Sequence, residues 1–97
     1  MFVSIRKYDG CKDAVALNRR VQEVLVARIK GMKGFHSYTV LDLGGGSVAS
    51  ISAFDTRANA EAANGSVRGL VQQSFLDLVP NAPTVMVGEV LSDTKAG

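Results

Sequence analysis

His36 and Tyr38 stand two positions apart in a run that reads Phe35-His-Ser-Tyr-Thr-Val-Leu-Asp-Leu43, so in an extended chain both side chains leave the same face. His36 is the single histidine, and its ordinary pKa suits it to moving a proton near neutral pH. With a tyrosine beside it, His36 can take a phenolic proton from a ligand and leave an electron-rich anion able to react with dioxygen. His36 and Tyr38 are therefore the candidate catalytic pair. Strand parity adds Arg6, Tyr8, Ser50, Ser52, Phe54 and Met86 as candidate ligand-binding residues. Together they offer aromatic walls for a planar molecule, a guanidinium for an anionic or enolate oxygen, and small serines that leave room. The competing assignment is structural: a lone histidine also serves as a hydrogen-bonded strand residue, and the same aromatic groups pack equally well between two sheets.

Other patterns carry less chemistry. Gly44-Gly45-Gly46-Ser47-Val48-Ala49 matches the spacing of a dinucleotide fingerprint, but that motif needs a helix after its glycines, and here a strand follows. Cys11 is the single cysteine and has no neighbouring base or metal-ligand companion. Asp42, Asp55 and Glu89 are not spaced for paired acid–base work, and no ligand set for a metal is present, so no metal or other cofactor is expected.

The elements that must position these residues follow from periodicity. Phe2 to Tyr8 alternates as a strand, with Val3 and Ile5 on one face and Arg6 and Tyr8 on the other. From Cys11 to Lys30, Ala14, Leu17, Val21, Val24, Leu25 and Ile29 recur at helical spacing, and Gly31 ends the helix. Strands over 35–43 and 47–55 flank the three glycines; a three-residue loop pairs Leu43 with Ser47, Tyr38 with Ser52, Val40 with Ser50 and His36 with Phe54. Asp55 or Thr56 caps a second helix whose stripe, Ala60, Ala63, Val67, Leu70, Val71, Phe75 and Leu78, runs to the stop at Pro80. A last strand covers 84–92, and 93–97 is a short polar tail.

The order βαββαβ is an α+β, ferredoxin-like arrangement: one domain over residues 1–92, with a four-stranded antiparallel sheet and both helices on one face. The expected core face holds Val3, Ile5, Leu41, Ile51, Val85 and Val87, leaving the candidate site residues on the uncovered side. Of the 97 residues, 46% are apolar and 21% charged, the latter below the usual ~25%, so part of the exterior is expected to meet a partner, a second copy of the chain. A net charge of +2 without a basic run, and one aromatic without a basic residue on the third strand, argue against nucleic acid, including RNA. No apolar run approaches the ~18 residues of a membrane span, and one unpaired cysteine suits a cytoplasmic protein.

On three further segments the chain resembles the antibiotic biosynthesis monooxygenase-like family. These are the Met32-Lys33-Gly34-Phe35 entry to the second strand, Ser50-Ile51-Ser52-Ala53-Phe54-Asp55 leading into a helix, and Leu76-Asp77-Leu78-Val79-Pro80 closing it. The resemblance implies a homodimeric α/β barrel in which two ferredoxin-like sheets pack face to face around a cavity. It also implies a small aromatic or hydrophobic ligand and, in the catalytic members, cofactor-independent oxygenation of polycyclic phenols or haem degradation. Catalytic members tend to place a tryptophan in the cavity. This chain has none, and Phe54 stands where the family often has it, so the aromatic wall carries over and the indole N–H does not. A non-catalytic structural or interaction module is the alternative.

Overall fold

A computed structural model describes residues 1–96. Strand β1 (Phe2–Tyr8) leads into a helical run in three parts: α1 (Ala14–Arg20), a π-helical turn (Val21–Leu25) and α2 (Val26–Lys30). Then come β2 (Phe35–Gly44), β3 (Ser47–Phe54), α3 (Arg57–Ser74) and β4 (Thr84–Glu89). The strands form one antiparallel sheet in the order β2-β3-β1-β4, the expected ferredoxin-like topology.

Side chains fix the helix starts. Asp13 accepts a hydrogen bond from the Ala16 amide at 3.0 Å, so the first helix opens at Ala14 rather than Cys11. Thr56 caps α3 in the same way through the Asn59 amide at 3.1 Å. In the first helix the buried residues are Leu17, Val21, Leu25 and Ile29, each four apart. A spacing of four drifts by roughly 40° per step around a 3.6-residue helix. The wider π turn, where the Val26 amide reaches back to the Val21 carbonyl, keeps Val21 and Leu25 on the core side. Val24, expected in the stripe, is exposed.

The central register matches the sequence reading: Tyr38 pairs with Ser52 and Val40 with Ser50. Both ends differ. At the hairpin, Gly44 pairs with Ser47, and Gly45 and Gly46, both at positive φ, form a two-residue turn; Leu43 falls in an irregularity instead of pairing with Ser47. At the other end Phe35, not His36, faces Phe54, because His36 is the extra residue of a bulge.

The helices cover the opposite face of the first three strands from the one expected. Phe2, Ser4, Arg6 and Tyr8 of β1, with Phe54, Ser52, Ser50 and Val48 directly opposite on β3, lie beneath the helices, and Val3, Ile5, Leu41 and Ile51 face away. Only Val85 and Val87 of the expected core set share the helix-covered face, since β4 pairs Val85 with Arg6, Val87 with Ser4 and Met86 with Ile5. Burial is set by which apolar surface the helices meet, and here both sheet faces carry apolar side chains. The core under the helices gathers Phe54, Phe75, Ile29, Leu25 and Val79. Phe35 lies edge-to-face on Phe54, with ring centroids 5.8 Å apart.

Candidate functional site

Strand alternation brings Arg6, Tyr8, Tyr38, Ser50, Ser52 and Phe54 to the covered face, and α3 lies across them. The centre is Arg6, which is only 2% exposed. Its Nε donates to Ser50 Oγ at 3.0 Å, one terminal nitrogen donates to Ser52 Oγ at 2.9 Å, and the other donates to Asn64 Oδ1 on α3. All three hydrogen-bond partners are neutral. Burial pushes the Arg6 pKa below its ordinary value, with Tyr38 and Tyr8 partly opposing the shift. Burial pushes both tyrosines above the usual phenol range, against the pull of the Arg6 cation, so both stay protonated at neutral pH.

Two spaces meet at Tyr8. One is a small apolar cavity of about 30 Å³ between sheet and helices, where Tyr8, Tyr38 and Ser50 face Val21 and Leu25 of the π turn. The other is an open cleft of about 550 Å³ bounded by Arg6 and Tyr8, the C-terminal half of α3, residues 80–83 and Val85. The cavity has the size of a water or diatomic molecule, and the cleft has the size of an organic ligand.

Two expected members lie elsewhere. His36 is exposed in its bulge. It does not join Tyr38, because the extra residue breaks the alternation that the sequence reading assumed. Met86 is 53% exposed and lies on the open face, opposite Ile5. In exchange the structure adds Asn64, Arg68 and Ser4. Asn64 was detectable, since it lies four residues after Ala60 and three before Val67, an amide beside an otherwise apolar stripe. Ser4 is fully buried, and its hydroxyl has no hydrogen-bond partner among the described residues. No group of three His, Cys, Asp or Glu side chains among the described residues is arranged to hold a metal ion, and no helix among them is long and apolar enough to cross a membrane.

No family sequence profile matches the chain, and no curated protein is similar to it in sequence. Solved structures are similar in shape. The chain superposes on the NE2512 protein of unknown function from Nitrosomonas europaea with a TM-score of 0.76 at 14% identity, over 99% of this chain and 94% of that one. The fold is that of the antibiotic biosynthesis monooxygenase-like proteins. Among these, a monooxygenase from the ActVA-Orf6 gene of Streptomyces coelicolor, in complex with nanaomycin D, matches at TM-score 0.72 and 15% identity, covering 99% of this chain and 92% of that one. An MhuD variant with two manganese protoporphyrin IX molecules per active site matches at TM-score 0.73 and 15% identity, covering 99% and 100%. A dimeric ferredoxin-like protein from an uncultured marine organism matches at 0.71 and 21%, covering 96% and 97%.

Proposed function

We propose that the chain forms a homodimer that binds a small aromatic or otherwise hydrophobic molecule in the cleft between its sheet and helices, and that it oxidises that molecule with dioxygen without a bound cofactor. The observation that carries the reading is Arg6. It is a buried guanidinium oriented by two serines and an asparagine, next to two protonated tyrosines, and it faces a cleft of ligand size. Ligands held by proteins of the same fold, nanaomycin D in one and manganese protoporphyrin IX in another, support a binding role.

The reading gives each residue a role. Arg6 stabilises negative charge on a ligand oxygen, Tyr8 donates a hydrogen bond from the cleft wall, and Tyr38 and Phe54 back this layer from the buried side and keep water from it. The ligand itself is the electron source. The second subunit covers the open face, where Val3, Ile5, Leu41, Ile51 and Met86 form an apolar surface that the helices leave bare.

A second reading, binding without turnover, is favoured by the position of His36. With that residue outside, the cleft lining holds no side chain that titrates near neutrality. A native mass spectrum of the purified protein tests the assembly: a dimer with retained extra mass is expected, and a monomer overturns the dimer. Dioxygen uptake in the presence of a bound ligand separates the two readings, since binding without uptake leaves a binding module.

A further inference from the structure

Among the described residues, the cleft beside Arg6 has no acid in its wall. Its charged lining residues are Arg6 at the floor and Arg68 at the rim, and the remaining walls are apolar or neutral, among them Val71, Leu76 and Asn81. Asn64, which holds Arg6, and Arg68 are four residues apart on α3, so they share a face and Arg68 lies one turn along the same wall. None of the ion pairs among the described residues includes Arg6 or Arg68.

A guanidinium removed from water without a counter-ion carries a penalty of several kcal/mol that neutral hydrogen bonds only partly offset. Two devices could cancel that charge from within, an ionised tyrosine or a nearby carboxylate. The first is disfavoured because burial keeps Tyr8 and Tyr38 protonated, and the second is absent from the lining. The same lining offers no base to ionise a neutral phenol. The missing negative charge must therefore arrive with the ligand.

We infer that the cleft selects planar aromatic molecules that enter already ionised, as a carboxylate or an acidic enolate, with the anionic oxygens on Arg6 and the approach guided by Arg68. This rests on the reading of the cleft as the ligand site. Three of the five Arg6 N–H donors are taken by Ser50, Ser52 and Asn64, which leaves two terminal N–H groups for the anionic oxygens, and Arg68 at the exposed rim contributes a screened, longer-range attraction.

The test is isothermal titration of the intact protein with 2-naphthoate and with 2-naphthol, which share a ring system and differ in charge at pH 7. One charge-assisted contact in place of a neutral one is worth about tenfold or more in affinity, so 2-naphthoate should bind at least that much tighter. Arg6→Met should bring the two probes to equal affinity. Arg68→Ala should weaken 2-naphthoate about threefold and flatten its salt dependence. The wild-type comparison stands alone if Arg6→Met does not fold, and the Arg6 Nε–H resonance should shift with 2-naphthoate. Equal or tighter binding of 2-naphthol overturns the anion selectivity and leaves the cleft reading intact. Absence of binding by either probe overturns the cleft reading and the selectivity with it.

Discussion

Ser4 and Ser52 face each other across β1 and β3, both fully buried, and their removal should change stability in opposite directions. The Ser52 hydroxyl accepts a hydrogen bond from the Arg6 guanidinium at 2.9 Å, whereas the Ser4 hydroxyl has no partner among the described residues. A buried unpaired hydroxyl costs about 1–3 kcal/mol, and a hydrogen bond to a charged group contributes about 1.5–3 kcal/mol. Ser4→Ala removes the penalty and leaves a space of one oxygen atom, whose cavity cost at ~24 cal/mol per Å³ is on the order of 0.3 kcal/mol. Ser4→Ala should therefore stabilise the protein by about 1 kcal/mol, raising Tm by roughly 4–8 °C for a domain of this size. Ser52→Ala should destabilise it by about 2 kcal/mol, because it removes an acceptor from a buried cation.

The assay is urea unfolding followed by circular dichroism, with both variants and the parent at one protein concentration, because the midpoint of the proposed dimer moves with concentration. The separation expected between the two variants is about 3 kcal/mol, beyond the usual extrapolation error. Destabilisation by Ser4→Ala would mean that its hydroxyl is engaged in solution, by water or by a ligand. Equal losses in the two variants would refute the claim that Arg6 distinguishes these serines.

Three further outcomes follow. His36→Ala should leave the affinity for 2-naphthoate within about twofold, and Tyr38→Phe should weaken it severalfold, because His36 is exposed in its bulge whereas Tyr38 lies on the covered face close enough to Arg6 for each to shift the other's pKa; titration calorimetry reads both. The raised pKa values of Tyr8 and Tyr38 mean that the folded state holds its phenol protons longer than the unfolded chain does, so their contribution is fully present below about pH 10 and is lost as pH rises through the folded values. Urea midpoints measured from pH 8 to 11 should fall at the alkaline end, and a Tyr8→Phe, Tyr38→Phe double variant should show a shallower fall. Gly34 adopts φ +79°, and a Cβ there would collide with the Asp55 carboxylate. Gly34→Ala should cost about 3 kcal/mol, from the left-handed backbone and the loss of the 2.7 Å bond between Asn59 and Asp55, and Asp55→Ala in the same chain should recover part of it.

How far the sequence carried the reading differs by element. The strands and their order were legible because Phe2 to Tyr8 and Ser47 to Phe54 alternate and the glycines after Leu43 demand a turn. The central register was legible for the same reason, since a turn of about the right length pairs Tyr38 with Ser52 whichever way its own residues bend. The covered face was not legible. Val3, Ile5 and Ile51 point one way and Phe2, Tyr8 and Phe54 the other, so alternation marks two faces without saying which one the helices take. The position of His36 was hidden as well: a bulge adds one residue without leaving a mark in the pattern of side-chain types.

The inverted face changes the meaning of the site. A polar group between two sheets of a dimer can be a packing feature, satisfied by the partner. Beneath the helices of its own subunit, Arg6 displaces apolar side chains from the place where the chain gains most of its stability. Nothing in the topology requires it there: Tyr8 and Val48, one step along the same two strands, fill the same layer with carbon. Three neutral hydrogen bonds hold the guanidinium in one orientation without cancelling its charge, which is costly for an empty protein and useful for one that must present a cation to an anion. The cost of that arrangement is the argument for ligand recognition over structural packing as the role of this layer, and for the proposed selection by Arg6 and Arg68 rather than by the residue that looked most reactive in the sequence, His36.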